Sequence, residues 1–129
     1  MRQLTFVFCV VAAFMGPFRL GNAAETFVTG FEDLPLMPGL VQVQQDSLLF
    51  DTPQGRIVQA SAIGAVAEEA ALSFYAATLP QLGWRASNQM TYHREGETLR
   101  IEFKKAGQVL TVRFLSEPKS STPSLKTRP

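Results

Sequence analysis

One stretch restricts the fold more than any other: FYAATLPQLGW, residues 74–84, joins two incompatible periodicities. Before it, from Ala65, apolar residues recur at helical spacing. Val66, Ala70, Phe74 and Ala77 form the stripe, with Ala67, Ala71 and Tyr75 beside them. Glu68, Glu69 and Ser73 fall on the far side, and the two acids sit in the first turn, where they favour the helix dipole. After it the period is two. Trp84 and Ala86 alternate with Arg85 and Ser87, then Met90 and Tyr92 with Thr91 and His93. Pro80 cannot donate an N–H and clashes with the preceding turn, so the helix ends or kinks just before it. Gly83 suits the left-handed position after a helix, and Trp84 stands where a capping hydrophobic contact is expected. The stretch therefore reads as the corner between a helix and a sheet. Its alternative role is a binding site with Tyr75 and Trp84 as an aromatic pair.

The strands continue past the corner. REGE, residues 94–97, is a turn at Gly96. Leu99, Ile101 and Phe103 alternate with Arg100, Glu102 and Lys104. After a second turn at KAGQ, residues 105–108, Leu110, Val112 and Phe114 alternate with Thr111 and Arg113. This pattern predicts an antiparallel meander with one buried and one wet face. Upstream, SLLFDTPQGRIVQASA (residues 47–62) places two apolar runs around TPQG, a β-hairpin with a loop of about four residues. Val58, Ala60 and Ala62 share one face of its second strand, and Ile57, Gln59 and Ser61 share the other. DLPLMPGL, residues 33–40, biases Leu34 and Met37 to extended geometry, because each precedes a proline. Residues 24–46 read as an extended arm lying on the domain.

The chain opens with the layout of a secretory leader. Arg2 precedes an apolar run from Leu4 to Phe18, and the small residues Gly21, Ala23 and Ala24 follow. That run is 15 residues, short of the roughly 20 that a spanning helix needs. Cleavage after Ala23 is expected, with Ala24 as the alternative site. Cys9, the single cysteine, lies inside the leader, so the mature chain carries no disulfide framework. The leader also holds two of the 12 Lys+Arg and none of the 11 Asp+Glu. The mature chain then has 10 basic against 11 acidic side chains, far from the balance of a nucleic-acid binder. No membrane span is expected after cleavage. The tail from residue 117, rich in Ser, Pro and Lys, is expected to be disordered.

These readings combine into an α+β domain over residues 47–116. One amphipathic helix packs on an antiparallel sheet of about five strands, in the order β-β-α-β-β-β. DLPLMPGL together with FYAATLPQLGW also resembles a group of small exported bacterial domains of unknown function. In those, a proline-containing arm precedes a strand, and a helix ending in Phe-Tyr, Leu and Gly-Trp leads into short strands. The resemblance spans residues 33–115 and departs at Met37, where an aromatic is expected. It implies export and the same element order, and it carries over no catalytic or binding residues.

Several chemistries are set aside by composition. The mature chain has one histidine and no cysteine, a poor zinc set, and its acids are too scattered for a calcium loop. No glycine-rich phosphate loop is present, and no cofactor is expected. Ser61, Ser73 and Ser87 stand in ordinary secondary structure rather than at a nucleophile elbow. Side-chain alternation instead gathers Arg85, His93, Arg100, Lys104 and Arg113 on the open sheet face. Arginine's planar fork suits carboxylates and phosphates. The expected function is a non-catalytic binding or accessory module, periplasmic or secreted. Its expected partner is an acidic envelope protein or an anionic envelope polymer. The runner-up is a small hydrolase or lyase using His93.

Overall fold

The structure is a computed structural model describing residues 26–119. The expected leader, with Cys9 and its cleavage site, and residues 120–129 of the expected tail lie outside that range. Within it, seven strands and one α-helix follow in the order β1 (Val41–Gln42), β2 (Leu48–Thr52), β3 (Gly55–Gly64), α1 (Glu68–Thr78), β4 (Arg85–Asn88), β5 (Thr91–Arg94), β6 (Glu97–Ala106) and β7 (Val109–Pro118). All pairings are antiparallel. The spatial order is β1-β3-β7-β6-β5-β4, and β2 also pairs β3. Both β1 and β2 run along the same edge of β3, separated by a 3-10 turn at Gln44–Asp46.

The α+β class with an antiparallel sheet stands, and the strand count and order are corrected. One extra strand, β1, comes from the segment expected as an arm. Another arises because the expected strand over residues 84–93 is broken by a tight turn at Gln89–Met90. The Asn88 side chain makes that turn: its Oδ1 accepts from the Met90 N–H at 2.8 Å. The β2–β3 loop is shorter than expected, with only Pro53 and Gln54 between the strands. At the far end β7 runs through Pro118, so two residues assigned to the tail belong to the sheet.

The corner forms as its residues dictate. α1 ends at Thr78 and tightens into a 3-10 turn over Leu79–Leu82. Gly83 adopts φ 88°, its N–H donates to the Pro80 carbonyl at 3.2 Å, and the Trp84 N–H donates to the Leu79 carbonyl at 3.1 Å. This pair of bonds closes the helical segment through a left-handed residue that only glycine adopts cheaply. The buried stripe of the helix is rotated one position from the sequence reading. Ala71, Tyr75 and Leu79 face the sheet, whereas Ala70 and Ala77 are exposed. Trp84 and Tyr75 are 3% and 1% exposed, so neither offers a surface to a ligand.

The arm is part of the core. Val28, Leu34 and Leu40 are buried with Ala60, Ala62, Leu99, Ile101, Val112 and Phe114 of the sheet. A short bridge between Phe27 and Pro35 folds the arm on itself, and the Val28 N–H donates to the Leu34 carbonyl at 2.8 Å. It then crosses the end of β3 at a Pro38–Gly39 turn, with Gly39 at φ 94°. There the backbones approach so closely that a Cβ on Gly64 would run into the Gly39 carbonyl.

Tyr75 fastens the arm to the helix. Its hydroxyl donates to the Pro35 carbonyl at 3.1 Å and accepts from the Met37 N–H at 3.3 Å. Burial pushes this hydroxyl from 10.0 up to about 12, against the opposing pull of the Met37 N–H. The folded value lies above the unfolded one. Its contribution to stability is therefore complete below pH 10 and is lost as pH rises through about 12. Tyr92, also raised by burial, adds in the same sense. Tyr75→Phe is expected to cost about 1–2 kcal/mol at neutral pH by stripping two backbone groups of their partner. It should also flatten the alkaline loss of stability. Urea unfolding at pH 7 and across pH 10–12 checks both, and an unchanged alkaline slope would refute the assignment.

Candidate functional site

The helix and arm cover one face of the sheet. The other face is open among the described residues, and strand register sets its layout. Arg85 lies opposite His93, His93 opposite Thr98, and Thr98 opposite Glu117. One step along, Thr91, Arg100, Leu115 and Gln59 form the next row. Glu102, Arg113 and Ser61 form a third, and Lys104, Thr111 and Ile63 a fourth. All five residues expected on this face are there. Each alternates with a core residue, because the side-chain period of a strand is two.

Their environments differ. Arg113 reaches Glu102 at 3.9 Å, with both side chains more than half exposed, a pair of little energetic consequence. Arg100 and Lys104 are exposed and enter no ion pair among the described residues. His93 Nδ1 lies 3.1 Å from Thr98 Oγ1, its cross-strand partner on β6. Arg85 and His93 also border an open depression of about 570 Å³ with Arg94, Glu95, Glu97 and Lys119. Its lining carries charges of both signs.

The face is also divided, which sequence reading missed. Its β4–β7 side is polar and basic. Its β1–β3 side is apolar: Phe50 stands opposite Ile57, Leu48 opposite Gln59, and Val41 opposite Ile63. Leu48, Phe50, Val41 and Ile63 are all at least 40% exposed. The runs LLF and IV were legible as strands, but not the pairing that gathers their apolar side chains on one open surface.

A second feature also escaped the sequence reading. Arg94 shares the core side of β5 with Tyr92, so it is a cation pointing inward. It grips Asp33 through two nitrogens, at 2.6 and 3.3 Å, donates to the Leu82 carbonyl at 3.0 Å, and lies 4.3 Å from the Trp84 ring centroid. The Asp33 bond raises the Arg94 pKa further, against a smaller opposing effect of burial. The alternation of Met90, Tyr92 and Arg94 was the available signal, since an inward charge demands a partner. This group ties arm, corner and hairpin together behind the open face.

Among the described residues no helix is long and apolar enough to cross a membrane. Comparison with family models, characterised proteins and solved structures gives no match.

Proposed function

We propose that the protein is a non-catalytic binding module of the bacterial envelope, exported behind its N-terminal leader. On this reading it docks an acidic partner on the open face of its sheet. The observation that carries the reading is the composition of that face: Arg85, Arg100, Lys104 and Arg113 against Glu102 and Glu117, presented on a rigid sheet. Two of the cations, Arg100 and Lys104, stand free to engage carboxylates or phosphates among the described residues. The strands hold these groups at fixed spacings, about 4.8 Å between neighbouring strands and about 7 Å between successive rows, which favours a partner with regularly spaced negative charge.

The test is affinity capture from the envelope with the processed protein as bait. The comparison bait carries Arg100→Glu and Arg113→Glu, exposed changes that leave the core untouched. A partner retained by the first bait and lost by the second is expected, with capture weakening as salt is raised. Protein and polymer partners are told apart by protease treatment of the captured material. The same partner on both baits would refute the open-face assignment. Attention would then pass to the groove of about 640 Å³ between arm and helix, lined by Phe27, Leu36, Met37, Phe74 and Leu82.

A further inference from the structure

Among the described residues the sheet has two free edges, and they are built differently. The β4 edge reads Arg-Ala-Ser-Asn, is exposed throughout, and carries a register shift between Ala86 and Asn88. Charge, polar residues and irregularity are the devices by which an edge strand resists pairing. The β2 edge has none of them over its first three residues. Leu48, Leu49 and Phe50 are 47%, 52% and 52% exposed, and among the described residues β2 pairs only β3. An edge strand left this apolar needs a cover.

We propose that the cover is a second copy of the chain, joined by antiparallel pairing of β2 with β2 about a two-fold axis at Leu49. The strand is self-complementary in that register. Leu49 meets Leu49 of the partner copy, and Leu48 meets Phe50 on the open-face side. Asp51, the one charged residue of β2, falls opposite Ser47 rather than opposite its own copy. The alternative centre at Phe50 puts Asp51 against Leu49, burying a carboxylate beside an apolar side chain, and is disfavoured. Directly opposed residues of an antiparallel pair point to the same side. The two open faces therefore become one, with the apolar halves meeting in the middle and a basic region at each end. Five paired residues span about 17 Å, a seam too short to bury the ~800 Å² per partner of a standard stable interface. The product is a concentration-dependent dimer. This pairing is independent of the acidic-partner reading, and Arg100→Glu with Arg113→Glu leaves it intact.

Sedimentation velocity of the processed protein over a wide concentration range tests it. The wild type is expected to pass from monomer to dimer as concentration rises. Leu49→Lys and Leu49→Glu, each setting like charges face to face, are expected to raise the dissociation constant about ten-fold or more. Mixing the two variants is expected to restore the dimer as a mixed species, which a misfolded variant could not do. A wild type that stays monomeric overturns the proposal. So does a dimer indifferent to both substitutions, or a Leu49→Lys variant that dimerises more tightly, since that places Leu49 against Asp51.

Discussion

Replacing Gly64 by alanine is expected to cost about 3 kcal/mol, the upper end of what one added methyl does in a packed site. At the usual slope for a domain of this size, the melting temperature falls by roughly 12–24 °C. The size of the effect follows from what the methyl would strike. Its nearest neighbour is the Gly39 carbonyl, with Leu40 Cδ2 at 3.2 Å beside it. A flexible side chain could swing away, but a backbone carbonyl cannot. Gly39 is held at φ 94°, and its own Cβ direction is closed off by Val66 Cγ1 at 2.9 Å. Relief therefore requires the arm to lift from the end of β3, loosening Leu40 from the core. Gly107→Ala is the control. Unlike Gly64 it sits at positive φ, but it has nothing within 4 Å among the described residues, so it should cost only about 1 kcal/mol. Circular-dichroism melting of both variants decides the matter: similar, small shifts would show that the close crossing has no energetic weight.

Phe114→Ala is expected to destabilise by about 3–5 kcal/mol, a large share of the 5–15 kcal/mol typical of a whole domain. Phe114 is fully buried in β7, between Ala60 of β3 and Ile101 of β6. Its ring lies edge-on to Tyr75 of the helix at 5.3 Å and to Phe31 of the arm at 6.4 Å. One side chain thus touches all three parts of the molecule. The alanines at 60 and 62 leave room for it, and none of them can expand to fill the space it would vacate. Phe114→Leu should recover over half the loss. Chemical denaturation with an unchanged m-value measures both, and a cost below about 1.5 kcal/mol for the alanine variant would contradict this account.

Local chemistry was readable in the sequence, and long-range partnership was not. The corner at residues 79–84 follows from Pro80 and Gly83 alone, because backbone restrictions act on neighbours. The turns at Gly96 and Gly107 are legible for the same reason, and both glycines have positive φ. The open-face positions of Arg85, His93, Arg100, Lys104 and Arg113 follow from a period of two, which any register preserves. The helix stripe was displaced because the alanines on every side of α1 blur its apolar face. Placing the arm in the core would have required knowing that Leu34 and Leu40 find the sheet. The Arg94–Asp33 pair, separated by 61 positions, leaves no local trace. The turn at Gln89–Met90 lacks glycine and proline and depends on one asparagine side chain.

The last of the described strands lies inside the sheet. β7 lies between β3 and β6, and among the described residues no other strand is hydrogen-bonded to both. Until residues 109–118 emerge from the ribosome, the N-terminal hairpin and the later meander have no strand in common, and the Phe114 ring is missing from the core. Completion of the domain is therefore a late, largely all-or-none event, governed by contacts distant along the chain, and such topologies fold slowly. For a polypeptide carried across a membrane before it folds, as proposed here, slowness is useful: the chain stays threadable until residues 109–118 arrive.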